Sequence, residues 1–409
     1  MIEKFENDAQ RVFYLHQAQT TPFPLGIEVE RAEGIYLYTP DGKRFIDFIS
    51  GISVSNIGHS HPKVVQAVKD QVDKHMHVMV YGEYLQSAQY KLAEKLNQLL
   101  PDPLSTSYFV NSGTEAIEAS MKLAKRVTGR TELIAFKGAY HGNTQGSLSI
   151  SSNEYKKAAF RPLLPDVRFL QFNVIEELKH ITSKTAGVII EPVQGDAGIR
   201  IPSKAFIQAL RKRCTEVGAL LIFDEIQTGF GRCGKWFAFE HFEVVPDVLA
   251  IAKAFGGGMP IGAFIASYEH MKQLSHDPML GHITTFGGHP VNCAAALANI
   301  EVFESEHIID EVEAKGAYIE KTLMHPLVKE IRRIGMFFAI EMDHFETVNK
   351  VVRKNIDKGL ISYWFLSTDY AFRIAPPLNI SFEEIDKACD IIRESMDEVH
   401  RESRSNIPK

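Results

Sequence analysis

Cysteine is scarce in this chain: Cys214, Cys233, Cys293 and Cys389 are the only four in 409 residues, and no two of them form a CxxC pair. That spacing excludes a disulfide framework and a cysteine-built metal site, and points to free thiols in a reducing cytoplasm. Also lacking is any uncharged apolar run near the roughly 20 residues that a membrane helix requires. The start, Met1-Ile2-Glu3-Lys4-Phe5-Glu6, has no basic region followed by an apolar stretch, so no signal peptide is expected. Neither sign of charge dominates: 45 basic against 51 acidic residues give a formal charge of −6, which argues against a nucleic-acid footprint. Internal repeats and low-complexity blocks are absent too. What remains is a chain 45% hydrophobic and 23% charged, ordinary for a globular enzyme and longer than one typical hydrophobic core. A large domain with a smaller partner is the expectation.

The pattern along the chain gives the organisation. Gly34–Phe48 reads as a β-hairpin about the turn Thr39-Pro40-Asp41-Gly42. Val64–His75 and Tyr84–Leu100 read as helices, the second ended by Pro101. Short apolar runs then alternate with helical stretches. Strands are expected at Ser107–Val110, Glu132–Phe136, Gly187–Ile190, Ala219–Phe223, Val248–Ala252 and Ala263–Ala266. Helices are expected at Glu115–Thr128 and Ser203–Val217, and an Ala-rich one at Pro290–Ser305. Strands apolar on both faces and separated by helices predict an α/β fold with a mainly parallel sheet covered on both sides. Beyond that, Ile331–Glu341, Leu360–Leu366 and Ala371–Ile374 read as strands, Thr347–Lys358 and Phe382–His400 as helices, and Arg401–Lys409 as a frayed end. The expected division is an N-terminal segment over 1–60 that joins the smaller domain and makes dimer contacts, a large domain over 61–300, and a smaller α+β domain over 301–409.

Ligands of an open parallel sheet sit at the carboxyl ends of its strands, and four features stand there. Asn111-Ser112-Gly113-Thr114-Glu115-Ala116 lies between a strand and a helix, where free N–H groups and the helix dipole suit a phosphate; an ordinary capping box has the same letters. Asp224 closes a strongly apolar strand, and a carboxylate there needs a positive partner such as a protonated pyridine nitrogen. A helix cap or surface aspartate is the plainer alternative. Lys253 closes another apolar strand before Gly256-Gly257-Gly258. A poorly hydrated lysine has a depressed pKa and can condense with an aldehyde, whereas a snorkelling surface lysine does nothing. Asp224 and Lys253 stand one strand-helix-strand step apart, on the same edge of the sheet. Tyr140-His141-Gly142 follows a fourth strand, and Tyr140 could stack on a flat ring or merely fill a loop.

Together these features resemble the class III aminotransferases, the family of ornithine, acetylornithine and γ-aminobutyrate aminotransferases. The resemblance rests on GISVSNIGHSHP (Gly51–Pro62), NSGTEA (Asn111–Ala116), YHG (Tyr140–Gly142), EPVQG (Glu191–Gly195), DEIQTG (Asp224–Gly229), AKAFGGGMPIGA (Ala252–Ala263), TTFGGHP (Thr284–Pro290) and RIAPPL (Arg373–Leu378). The eight blocks stand in family order, and the resemblance runs from Gly34 to Pro377, most of the chain. The resemblance implies the α/β fold type I of pyridoxal-phosphate transferases, with pyridoxal 5′-phosphate as cofactor, and transfer of an amino group from an amino acid to a 2-oxo acid. It implies Lys253 as the Schiff-base and proton-shuttling lysine and Asp224 as partner of the ring nitrogen. Gln227 would lie near the 3′-oxygen, Ser112, Gly113 and Thr114 would hold the phosphate, and Tyr140 and Ile226 would flank the ring. His141 and Glu191 belong to the same cofactor shell. Thr285 would reach the phosphate of a second subunit, which implies a homodimer with shared sites, and Arg373 would grip a substrate carboxylate.

Two departures concern substrate. The family's usual Arg two residues after His141 is here Asn143, so use of 2-oxoglutarate depends on Lys137, Arg161 or another basic residue. The usual Glu five residues after Glu191, which masks the carboxylate-binding arginine, is here Asp196; it could still pair with Arg373 and favour ω-amine donors. Aminomutases and decarboxylases share the lysine and aspartate, and the Arg373 block leans towards transamination. Gly229-Phe230-Gly231-Arg232-Cys233-Gly234 fits a dinucleotide fingerprint in letters alone, since no strand leads directly into it and no helix follows. The pairs His59/His61 and His75/His77 lack acidic or cysteine company at ligand spacing, and no metal is expected.

Overall fold

The computed structural model describes residues 7–405, so residues 1–6, and the part of the expected frayed end at 406–409, lie outside the described residues. Among the described residues are fifteen strands, numbered in chain order. Near the N-terminus are β1 (Arg31–Glu33), β2 (Tyr36–Tyr38) and β3 (Arg44–Asp47). The middle supplies β4 (Thr106–Val110), β5 (Glu132–Phe136), β6 (Val167–Leu170), β7 (Thr185–Ile190), β8 (Leu220–Asp224), β9 (Val248–Ile251) and β10 (Gly262–Ala266). The last are β11 (Glu330–Ile334), β12 (Phe337–Glu341), β13 (Leu360–Ile361), β14 (Tyr363–Trp364) and β15 (Ala371–Ile374).

The middle strands form a seven-stranded sheet in the order β4-β10-β9-β8-β7-β5-β6. The neighbours β6/β5, β5/β7, β7/β8 and β8/β9 are parallel, and β10 runs antiparallel to β9 and β4. Every residue of β7, β8, β9 and β10 is buried, which is why these strands read as unbroken apolar runs rather than alternating ones. The helices between them start and stop where their caps dictate. Ser112 caps Gly113–Thr128 by accepting from Glu115 N at 3.3 Å, and Gly129 ends it at φ +67°. Ser203 and Gly218 do the same for Lys204–Val217. This is the α/β sheet of the fold expected from the sequence.

Four details differ from the sequence expectation. β6 was not anticipated: it is a four-residue edge strand with exposed Arg168 in its middle, so no apolar run marks it. Ile331–Glu341 is two strands, because Gly335 turns at φ +55° and folds β11 onto β12 with Ile334 opposite Phe337. Leu360–Leu366 also divides: β13 pairs in parallel with β3, while β14 joins β15 in the sheet β11-β12-β15-β14. The C-terminal helix runs over Phe382–Ser405, past the expected start of fraying at Arg401. No helix among the described residues is long and apolar enough to cross a membrane.

Candidate active site

The parallel pairing of β8 and β9 sets the floor of the site. Asp224, the last residue of β8, is in register with Ala250, three positions before Lys253. The two side chains therefore emerge at the same sheet edge, into a cavity of about 500 Å³. Lys253 stands at φ +48°, a left-handed conformation that a non-glycine residue adopts only when its surroundings hold it there. The restraint is visible: the Asn299 side chain donates to Ala254 O at 2.8 Å and Phe255 O at 3.2 Å, and pins the turn that follows. Among the described residues the Lys253 amine makes no hydrogen bond or ion pair. Burial lowers its pKa from the ordinary lysine value, opposed by the Asp224 carboxylate and reinforced by Arg373.

Asp224 is buried and fixed from two sides. His141 Nδ1 lies 2.7 Å from Oδ2, and Ile226 N donates to Oδ1 at 3.1 Å. The sequence placed His141 in the cofactor shell without a role; its contact is with the aspartate, and the only signal was its position beside Tyr140 after β5. Glu191 follows β7 and accepts from Tyr140 N at 3.1 Å and Gly195 N at 2.9 Å. Burial pushes Glu191 up to about 7, with Asp224 acting in the same direction and His141 against it. Tyr140 and Ile226 both line the cavity.

The same cavity is lined by the first turn of the helix Gly113–Thr128, where the N–H groups of Gly113 and Thr114 have no intrahelical acceptor. A Cβ on Gly113 would come within 2.8 Å of the Ile226 side chain, so only glycine lets these two walls meet. The Thr114 hydroxyl is 2.8 Å from Thr144 Oγ1 and 2.6 Å from Ser147 Oγ, a hydroxyl cluster that residues 30 positions away complete and that no local motif announces. Gln227 lines the same cavity, and its Nε2 is buried with no partner among the described residues.

Other expected residues stand apart. Arg373, on β15, is buried beside Asp196, yet the closest approach is 3.9 Å, from Nη2 to Oδ1. The guanidinium instead donates to Trp364 O at 3.2 Å, and its Nε has no partner among the described residues. Asn143 lines the cavity from an exposed position. Neither Lys137 nor Arg161 lines it: Lys137 lies over the Phe169 ring and Arg161 pairs with Glu154. Thr285 is exposed and outside the cavity of its own chain. The Gly229–Gly234 segment forms turns after β8 and opens no helix, unlike a dinucleotide-binding loop. His59 contacts Asp47 and Ser55, and His61 contacts Glu306.

A lysine and an aspartate on adjacent parallel strands, facing a helix N-terminus across one cavity, match the comparisons with known proteins. Residues 16–396 match the family model described as aminotransferase class-III. The chain belongs to the class III aminotransferases. It is 39% identical over 389 residues to the acetylornithine aminotransferase of Methanocaldococcus jannaschii, covering 92% of this chain and 95% of that one. It is 38% identical over 379 residues to ornithine aminotransferase 1 of Staphylococcus aureus, covering 88% and 92%. The crystal structure of the ornithine aminotransferase from Toxoplasma gondii ME49 superposes with a TM-score of 0.90 at 27% identity, covering 98% of this chain and 97% of that one. As a class III aminotransferase the protein uses pyridoxal phosphate. Its residues fit that group: the cavity is lined by a helix start with unpaired N–H donors for an anion, a buried carboxylate, an unpartnered amine, and Tyr140 and Ile226 as apolar walls for a ring.

Proposed function

We propose that this aminotransferase takes the amino group of an ω-amine donor such as ornithine or acetylornithine and passes it to a 2-oxo acid in two half-reactions, with Lys253 as covalent anchor and proton carrier. The observation that carries the reading is the unpartnered Lys253 amine at the end of β9, one strand from Asp224. Pyridoxal phosphate, when bound, supplies an aldehyde for primary amines and a ring that accepts electrons as a proton leaves the substrate carbon. Lys253, its pKa lowered by burial, is neutral in a larger fraction than an exposed lysine, so its amine is available as a nucleophile and afterwards as a base. Asp224 presents a fixed anion to a ring nitrogen, and His141 and Ile226 N keep that carboxylate from turning away. The first turn of the helix Gly113–Thr128 would take the phosphate, with Ser112 and Thr114 beside it. Gln227 would donate to the ring oxygen from its unpartnered amide. Arg373 would take a substrate carboxylate. The named relatives support ornithine or its acetyl derivative as donor.

Thr285 would act across a homodimer, with the N-terminal segment making dimer contacts. The support is an exposed apolar face around it: Met279, Leu280, Ile283 and Phe286 are exposed, as are Met76 and Leu85. Borohydride reduction of the holoenzyme followed by peptide mapping should place the pyridoxyl group on Lys253 alone; another lysine would overturn the assignment. A panel of ornithine, N-acetylornithine, γ-aminobutyrate, lysine and alanine against 2-oxoglutarate and pyruvate should rank an ω-amine donor first. Light scattering should find a dimer, and an active monomer would remove the role of Thr285.

A further inference from the structure

Asp196 makes no hydrogen bond to Arg373 in this structure, and another part of the chain occupies both its oxygens. Its Oδ1 accepts from Leu366 N at 2.9 Å and its Oδ2 accepts from the Ser367 hydroxyl at 2.8 Å. Both donors lie in the loop between β14 and β15, two short strands that present Trp364 and Arg373 on either side of it. The turn that carries Asp196 has little freedom of its own. Arg332 Nε donates to Gly198 O at 2.8 Å from β11, and a Cβ on Gly198 would come within 3.1 Å of Thr368, so turn and loop are already in contact. The oxygen nearer Arg373, Oδ1, is the one that Leu366 N holds, and Oδ2 is the one that the Ser367 hydroxyl holds, so the two donors together fix the orientation of the carboxylate.

We propose that Ser367 is a specificity-determining residue: by holding Asp196 Oδ2 it keeps Arg373 open to a substrate carboxylate. The inference rests on Arg373 being the carboxylate grip of the proposed reaction. A buried carboxylate oxygen that loses its donor must find another. The nearest strong one is the Arg373 guanidinium, whose hydrogen bonds to a carboxylate are about twice as strong as neutral ones. Without the hydroxyl, Leu366 N alone holds the carboxylate, which can then turn and close the 3.9 Å gap between Oδ1 and Arg373 Nη2, and an incoming carboxylate must displace it. With the hydroxyl, the acid is occupied and no carboxylate is hydrogen-bonded to the guanidinium. A donor that puts its amine, and no carboxylate, near Arg373 gains from the first arrangement; an acceptor that puts a carboxylate there gains from the second.

Glutarate, a dicarboxylate with no reactive carbonyl, is the probe, and calorimetry on the holoenzyme reads its dissociation constant without turnover. Ser367→Ala should weaken glutarate roughly three- to tenfold, the range of one net hydrogen bond, and Ser367→Thr, which keeps the hydroxyl, should bind like the parent. Adding Asp196→Ala to Ser367→Ala removes the competing acid and should restore affinity to at least the parent value. In the parent, Arg373→Ala should abolish binding. Unchanged affinity in Ser367→Ala, a double variant that stays weak, or a parent that binds no glutarate would each overturn the proposal. The double variant separates masking from collapse of the loop, since collapse would leave it weak. A missing cofactor absorbance band, or a pyridoxyl group on a lysine other than Lys253, would instead strike the proposed function.

Discussion

Two buried aspartates whose charges both reach Lys253 are held in opposite ways. Asp224 ends a central strand of the seven-stranded sheet, and its partners, His141 and Ile226 N, come from the loop after β5 and from its own turn. Asp196 sits in a turn after β7 and takes its donors from a loop between two strands of a separate small sheet. The sheet gives the first acid one position, which suits a group that must meet developing charge without reorganising. A loop gives the second acid a choice of partners, which suits a group that must be present for one substrate and absent for the next. On the proposed roles, the fold separates chemistry, built at the ends of β8 and β9, from selection, built where the small sheet meets the large one.

The largest effects should come from the fixed side. Lys253→Ala is expected to lower kcat by on the order of 10²–10⁴ or more, since base and anchor go together. Single-turnover kinetics with saturating donor check this, and a variant with near-parent turnover would remove Lys253 from the reaction. Asp224→Asn keeps the shape but removes the charge, and a charge-assisted hydrogen bond in a dry site is worth about 1.5–3 kcal/mol. A loss of roughly tenfold to more than a hundredfold in kcat is therefore expected, with the helical circular-dichroism signal unchanged. If both variants lose KM rather than kcat, the contrast between a chemical and a selective acid collapses.

Much of this was legible in the sequence, for identifiable reasons. The buried strands announced themselves because both faces are covered, and Asp224 and Lys253 stood out as the charged residues that end two of them. What did not show were relations between distant segments. The His141–Asp224 contact spans 83 positions and the Asp196–Ser367 contact spans 171. Asp196 looked like a shortened mask for Arg373, because local spacing gives the length of a side chain but not the competitors for its oxygens. The small sheet hid its form for a similar reason: Ser362 separates β13 from β14, and only the pairing partners reveal that the two belong to different sheets.

Glu191 sharpens the comparison from the fixed side, because a dry site around Asp224 should show itself in stability. Burial raises the Glu191 pKa from its ordinary value of 4.5 to about 7, and Glu225 is raised likewise to about 7. A carboxyl whose pKa is raised on folding binds its proton more tightly in the folded state. Its contribution is therefore most favourable below pH 4.5 and is lost as pH rises towards 7. The loss amounts to at most about 3 kcal/mol for one such group. Urea midpoints of the parent should fall over that window, and Glu191→Gln should flatten the fall. An equal slope in both would mean that water reaches Glu191 and that the floor of the site is less dry than its burial indicates.

The smallest effect belongs to the selective side, at Asn143. This residue lines the cavity from an exposed position, where the family usually supplies a cation, and neither Lys137 nor Arg161 stands in for it. The distal carboxylate of 2-oxoglutarate would then meet an uncharged amide. Asn143→Arg should improve kcat/KM for 2-oxoglutarate by roughly three- to tenfold, the worth of one partly solvated guanidinium–carboxylate pair. Pyruvate has no distal carboxylate and should gain nothing. The gain should also shrink as salt is added, because an exposed pair is screened where the buried Asp224 is not. Equal improvement with pyruvate would trace the effect to packing at the cavity mouth. No change with either acceptor would mean that the distal carboxylate lies elsewhere, and selection would then rest on Arg373 and the loop that governs it.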